Sequence, residues 1–186
     1  MALPSKLKNL NVFNNGASYL GQVTSVTLPK LTRKMEDYRA GGMSAPVKID
    51  HGLEPLEIEV KCGGLMRDAI SQFGATQVDA VMLRFAGAYQ RDDTGEVDAV
   101  EIIVRGRWSE IDMGEAKAGE DTEHTLKAAL SYYQLTINGT EVALIDIINM
   151  VERYNGVDVA AAQRNALGGL SGEIGGLVPG AGALGI

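Results

Sequence analysis

Cysteine occurs once in this sequence, at Cys62, so no disulfide can form within the chain and no cysteine framework can hold a metal. Histidine is almost as rare, with only His51 and His124 to serve as a base or ligand. Aromatic residues make up 5%, with a single tryptophan, which leaves little for the exposed aromatic platform of a carbohydrate-binding module. An excess of basic charge is also missing. Lys and Arg number 17 against 24 Asp and Glu, giving a net charge of −7 and a pI near 4.9. A protein that grips nucleic acid through its phosphates needs a basic footprint. That class is excluded, whereas a wall past which DNA slides without sticking is not. No run is long and apolar enough to span a bilayer, and the opening MALPSKLKNL lacks the apolar core of a signal peptide. These absences lead to the expectation of a soluble protein made in a reducing cytoplasm, with no membrane insertion by the subunit.

What is present is strand. Over 186 residues, 45% are hydrophobic and 22% charged, enough for one domain with a packed core. The clearest stretch is 123–149, EHTLKAALSYYQLTINGTEVALIDIIN. Asn138-Gly139 lies between two alternating runs, the strongest short-range signal for a two-residue type I′ hairpin. That turn places Ile137 opposite Thr140, Leu135 opposite Val142 and Tyr133 opposite Leu144, with every apolar residue on one face. The first arm of the hairpin changes parity: Leu126, Ala128, Leu130 and Tyr132 alternate on even positions, and Tyr133, Leu135 and Ile137 on odd ones. A strand has period two, so a bulge or bend is expected near Tyr132-Tyr133. The other face, Thr125, Lys127, Ala129 and Ser131, is small and polar, suited to water or another subunit.

Elsewhere the alternation predicts strands over 17–28, 53–61, 80–90 and 97–108, with a further one starting after Asn149. Leu65, Met66, Ala69, Ile70 and Phe73 are spaced as one helical face over 65–73, ended by Gly74, and AAAQRNALG is a second short helical candidate. Residues 31–52 are mixed in charge, with Gly41-Gly42 and Pro46 in the middle, and read as a long functional loop. Residues 169–186, GLSGEIGGLVPGAGALGI, are Gly-rich and read as a flexible extension, so the domain proper is 1–168. The fold class is mainly β: an antiparallel sandwich or barrel with one flanking α-helix and a long extended loop.

Motifs with chemical meaning fail on context. Gly180, Gly182 and Gly185 match G-x-G-x-x-G, but a dinucleotide site needs a preceding strand, a following helix and a downstream acid, and the Gly-rich segment supplies none. Cys62 near the 65–73 helix suggests a nucleophile, yet a lone cysteine at a strand end is better explained as a small packed hydrophobe. Asp121, Glu123 and His124 lack a second histidine at ligand spacing. Asp92-Asp93-Thr94-Gly95-Glu96 lacks the twelve-position calcium loop and reads as a turn. No catalytic residue, metal site or cofactor site is nominated.

Two blocks carry a resemblance. LPKLTRKMEDYRAGGMSAPVKIDHGLE, over 28–54, and SYYQLTINGTEVALIDIIN followed by NGVD and RNALG resemble the major tail tube proteins of contractile-tailed bacteriophages and the tube proteins of R-type pyocins. The resemblance spans about 1–168. It implies a structural, non-enzymatic subunit of a virion tail, assembled in the bacterial host cytoplasm, in hexameric rings stacked into a hollow tube. The implied partners are further copies of the chain, the contractile sheath, a tape-measure protein in the bore, and baseplate and tail terminator proteins. DNA would pass without specific binding.

The resemblance implies that the 31–52 loop reaches toward the next ring, and the residues of 38–54 lead to the expectation that this segment is the ring-to-ring contact. Gly41 and Gly42 allow a close backbone approach, and Pro46 favours an extended path. Tyr38, Met43, Val47, Ile49 and Leu53 supply apolar anchors, while Arg39, Lys48, Asp50 and Glu54 supply charge that sets register. The segment is expected to be poorly ordered in the free subunit. Glu57, Glu59, Asp98 and Glu101 are the candidates for a net negative wall at the lumen or its rims. A secreted hexameric tube of a type VI secretion-like system is the alternative, disfavoured by the YRAGGMSAPV block.

Overall fold

The structure is a computed structural model and describes residues 2–168; the expectations for 169–186 lie outside the described residues. In chain order the elements are β1 (Lys6–Asn14), β2 (Ala17–Ser18), β3 (Val23–Thr27), β4 (Arg33–Tyr38), β5 (Val47–Leu53), β6 (Leu56–Cys62) and α1 (Arg67–Ser71). They continue with β7 (Val81–Gln90), β8 (Val97–Asp112), β9 (His124–Ile137), β10 (Thr140–Asp146), β11 (Val151–Tyr154), β12 (Val157–Asp158) and α2 (Ala161–Ala166). Ten strands form one antiparallel sheet, ordered β12-β11-β10-β9-β8-β7-β1-β2, with β6 on β9 and β3 on β6. The remaining pair, β4 and β5, forms a separate hairpin. The mainly β fold with a small flanking helix is as the sequence implies.

The sheet turns about β9, which has 14 residues. Along its whole length one edge pairs with β8, while the other edge is shared. Residues 124–130 pair with β6, and residues 132–137 pair with β10. Ser131 stands at the division. It is also the extra residue where Arg105 pairs with Tyr132 but Gly106 with Leu130. The parity change therefore sits at Ser131, one position before the expected Tyr132-Tyr133 step. Its carbonyl accepts from the Ile147 N–H at 3.0 Å, so the bulge leaves no orphan there. Opposite it, a Cβ on Gly106 would stand 2.0 Å from the Ala129 carbonyl oxygen. Only glycine lets the two backbones come this close.

The type I′ turn forms as predicted, with Asn138 at φ 48 and Gly139 at φ 79, both positive. Asn138 also donates its backbone N–H to the Ala99 carbonyl and accepts from the Ala99 N–H, each at 2.9 Å. The register beyond the turn differs from the expectation. Ala143, not Val142, faces Leu135, and Ile145 faces Tyr133. Val142 is the extra residue of a second bulge and is exposed, and Leu144 lies across from Gln134 on the other face. The bulge brings Ala143 and Ile145 into the core cluster, leaves Val142 exposed, and buries Leu144 on the other face.

Phe85, Leu56, Ile58, Leu83 and Leu126 are fully buried between the two halves of the bent sheet. Each such side chain contributes roughly 1.5–3 kcal/mol of burial. The helix over 65–73 is shorter than its pattern: only Arg67–Ser71 is helical, Met66 and Ala69 are buried, and Leu65 and Phe73 are exposed. Its C-cap Gln72 ties it down, its Oε1 accepting from Asn14 Nδ2 at 3.0 Å and from the Trp108 indole N–H at 3.3 Å. Asn14 also donates to the Tyr19 hydroxyl at 2.8 Å. The 17–28 stretch is two strands, because buried Tyr19 breaks it between β2 and β3.

Candidate assembly surfaces

The 31–52 stretch carries a β-hairpin arm, not an irregular loop. Its ladder runs Met35↔Asp50, Glu36↔Ile49, Asp37↔Lys48 and Tyr38↔Val47. Alternation puts Tyr38, Val47, Ile49 and Glu36 on one face, and Met35, Asp37, Lys48 and Asp50 on the other. Tyr38 opposite Val47 is an aromatic–β-branched pair, which favours strand over loop here. Ion pairs cross and flank the ladder: Lys48–Asp37 at 3.1 Å and Lys34–Glu36 at 3.3 Å. Arg39, Gly41, Gly42, Met43 and Pro46 lie in the connection between the strands. There the Met43 N–H donates to the Ala40 carbonyl at 3.2 Å, Gly42 takes φ +87, and Arg39 Nε reaches the Met43 carbonyl.

Tyr38 is 52% exposed, Val47 49% and Ile49 40%. A two-stranded hairpin is marginal in water unless something covers it. Leu53 and Glu54 play a different part from the one expected. Leu53 packs half-buried against the core, and the Glu54 N–H donates to the Thr32 carbonyl at 2.8 Å, so both belong to the neck of the arm.

The second surface is the outer face of the main sheet. Register and alternation place Glu57, Glu59 and Glu101 on it, together with Arg84, Arg105, Arg107, Lys127 and Glu110. Asp98 has the opposite parity and sits at the rim, half-buried, accepting from Asn138 Nδ2 at 2.9 Å and the Ser5 hydroxyl at 3.3 Å. The acids do not stand alone. Glu101 pairs with Arg84 at 2.9 Å, and the Arg84 guanidinium lies over the Phe13 ring at 4.7 Å. Lys127 lies 3.1 Å from Glu110 and 4.0 Å from Glu59, and its hydrogen bond to Glu110 raises its pKa. Arg153 reaches Glu141 at 2.6 Å and, through that hydrogen bond, holds the Glu141 carboxyl below its ordinary range. Arg105 covers the Tyr132 ring at 5.2 Å. The net negative wall anticipated from the acids alone thus becomes a face on which the two signs interleave.

Of the residues weighed for chemistry, Cys62 and His124 are brought together as buried register partners on β6 and β9, and the others stand apart from them. Cys62 is fully buried, and burial pushes its thiol up to about 11, away from a thiolate. His124, its register partner on β9, points into the core, while Glu123 bridges to Lys61 at 2.9 Å. His51 is out on the arm, 3.6 Å from Glu36. The 92–96 segment is a turn closed by Arg91 N–H to the Glu96 carbonyl at 3.0 Å. Among the described residues, no group of three or more His, Cys, Asp or Glu could hold a metal ion.

Comparison with known proteins bears on this geometry. The family model described as phage tail tube protein FII matches residues 4–168. The chain is 52% identical over 171 residues to the tail tube protein of Escherichia phage P2, covering 90% of this chain and 99% of that protein. It is 36% identical over 158 residues to the major tail tube protein of Serratia phage KSP20, covering 84% and 91%. In three dimensions it is similar to a chain of the PVC sheath–tube complex, an extracellular contractile injection system in its extended state. The TM-score is 0.54 at 13% identity, over 72% of this chain and 91% of that one. A chain of the anti-feeding prophage tube-terminating cap gives 0.54 at 14%, over 74% and 93%. At such low identity these two show a shared fold.

Proposed function

The chain belongs to the family of phage tail tube protein FII, and from that membership we propose that it forms hexameric rings which stack into the inner tube of a contractile tail. It is a structural component of the virion tail and not an enzyme. The family match over 4–168 carries the reading. The two surfaces described above support it, because each is shaped for a neighbour rather than for a substrate.

In this reading the outer face of the sheet, with Glu57, Glu59 and Glu101, lines the bore, and Asp98 lies at its rim. The interleaved charges suit passage of DNA. Arg84, Lys127 and Arg153 are already engaged by carboxylates, so a phosphate gains little by displacing one anion for another. Duplex DNA should therefore bind assembled tubes weakly; tight, salt-sensitive binding in a filter assay would overturn this lining. The arm's face with Tyr38, Val47 and Ile49 covers itself on the next ring, a heterologous contact that continues along the axis instead of closing. Met43, Gly41, Gly42 and Pro46 shape the tip, and Arg39 and Asp50 add polar register. Outside the tube the partners are the contractile sheath, the terminator and the baseplate, and inside it a tape-measure protein.

Negative-stain microscopy and sedimentation of the purified chain test the core of the proposal. Rings or tubes are expected at high concentration, and a monomer at every concentration would overturn it.

A further inference from the structure

No hydrogen-bonded ladder joins β4 or β5 to the main sheet. The arm leaves the body through two strands, closed at the neck by the Glu54 N–H to Thr32 carbonyl bond. Just beyond it the register slips between Arg33 and Met35, with Gly52 at φ +103 on the opposite strand. A bulge bends and twists a strand pair, and a two-stranded neck with a bulge swings unless something outside it takes hold.

Arg33 takes hold. One of its guanidinium nitrogens lies 3.0 Å from Asp50 on β5, and the other donates to Glu152 on β11, 119 residues away in sequence. Asp50 uses its second oxygen to accept from the Gly52 N–H at 2.8 Å, so one carboxylate braces both the bulge and the arginine. On the body side the same Glu152 oxygen accepts from the Tyr154 hydroxyl at 2.8 Å. A cleft lined by Asp50 and Gly52 of the arm and by Tyr154, Ala160 and Gln163 of the body runs beneath this bridge. The guanidinium is planar and always charged, so it holds two carboxylates in fixed directions, which a lysine ammonium does not.

We propose that Arg33 is a positioning residue for assembly: its bridge to Glu152 sets the angle at which the arm leaves the body, so that the arm's apolar face meets the next ring in one register. The inference rests on reading that face as the axial contact. A half-exposed ion pair adds little to stability. Its effect here is preorganisation, which strengthens association by removing the ordering penalty.

The test uses the full chain with spin labels on cysteines introduced at Ser44, in the arm's connection, and Glu110, on β8, Cys62 being fully buried. Pulsed electron–electron resonance on the unassembled protein should give one narrow distance. Arg33→Met and Glu152→Gln should each broaden it roughly twofold, since released states become populated. The double variant should be no broader than either single, because the two changes break one contact. Arg33→Lys should restore the narrow distance only in part. Melting should stay within about 2 °C of wild type, while the concentration needed for tubes rises roughly tenfold. A wild-type distance distribution in Arg33→Met overturns the proposal, and so does a broadened distribution with tubes at the wild-type concentration. The paired variant Tyr38→Ser/Ile49→Ser separates the two readings. If it also assembles normally, the arm is not the axial contact; if it alone fails to assemble, the contact stands and the bridge does not set it.

Discussion

The body and the arm are both antiparallel β, yet they are held by different means. In the body every long strand has a buried face, and Phe85, Leu56 and Leu126 are buried in its core. In the arm, β4 and β5 pair only with each other among the described residues, and Tyr38, Val47 and Ile49 are half-exposed. The same local chemistry, alternation and cross-strand pairing, gives a finished fold in one region and an unfinished surface in the other. If the body carries stability and the arm carries assembly, as proposed above, changes in the two regions should separate in experiment.

The largest effect on the subunit is expected at Gly106. Its backbone lies against Ala129, where an added Cβ would meet the carbonyl oxygen at 2.0 Å, and backbone cannot yield as a side-chain tip can. Gly106→Ala should destabilise the body by about 3 kcal/mol or more, read as a large fall in the denaturant midpoint or failure to fold. Gly41→Ala in the arm is the contrast. Nothing stands within 4 Å of its Cβ position, and its melting should be unchanged. A mild Gly106→Ala would mean that β8 and β9 can separate at the bulge.

Next comes the arm's own face. Tyr38→Ser combined with Ile49→Ser removes apolar surface about half in water together with the Tyr38–Val47 pair, so the isolated subunit should lose no more than about 1 kcal/mol while tube formation is abolished. Sedimentation and thermal melting on one sample read both quantities. A parallel loss of stability would show that the arm's face is buried within the subunit, and the contrast between the regions would collapse.

How far these regions could be read in advance follows the same division. The Asn138-Gly139 turn was legible because turn chemistry and alternation agree. The bulge opposite Gly106 was legible only to within one residue, since Ser131 and Tyr132 are both half-buried and the deciding glycine lies on another strand. The arm was read as a loop because strands are recognised by a buried face, and in RKMEDY and VKIDHGL charged residues interrupt the apolar ones. The Arg33–Glu152 bridge had no local signal at all, as its partners come together only through the fold. In β10 the alternation was visible, but the bulge at Val142 that redirects it was not.

Extremes of pH sharpen the comparison with a smaller effect. Burial pushes the Cys62 thiol up to about 11, and burial followed by the Glu152 hydrogen bond pushes the Tyr154 hydroxyl up to about 12. Their ordinary values are 9.0 and 10.0, so through this window the unfolded chain releases protons that the folded body retains. Body stability should therefore fall as pH rises from about 9 towards 12. On the acid side, Arg153 lowers Glu141 from 4.5, and Arg164 lowers Asp158 from 3.8. The stability these carboxylates add is complete above about pH 5 and is lost as pH falls through their folded values. Melting from pH 3 to 11 should trace a plateau with both shoulders. Cys62→Ala should flatten the alkaline shoulder; an unchanged shoulder would remove Cys62 as its source.

The smallest effect is expected beyond the body altogether. The buried core cluster lies between Val12 and Ile145, and the family match ends at residue 168. The last described helix, α2, is already tied to the body at two points. Arg164 donates to the Met150 carbonyl at 2.8 Å and reaches Asp158 at 2.8 Å, and Gly168 at φ +94 donates its N–H to the Asn165 carbonyl. A positive-φ glycine of this kind ends a helix with its carbonyls satisfied. Among the described residues, core, cap and docking contacts run up to that residue. Ending the chain at Gly168 should leave the melting temperature within about 1 °C and leave rings able to form. Arg164→Ala is the internal control. It cuts α2 from Met150 and from Asp158 of β12, and it should lower the melting temperature by more than the truncation does. If removing 169–186 costs more than removing the Arg164 contacts, those residues belong to the body, and the boundary between a finished fold and its assembly surfaces has to be redrawn around them.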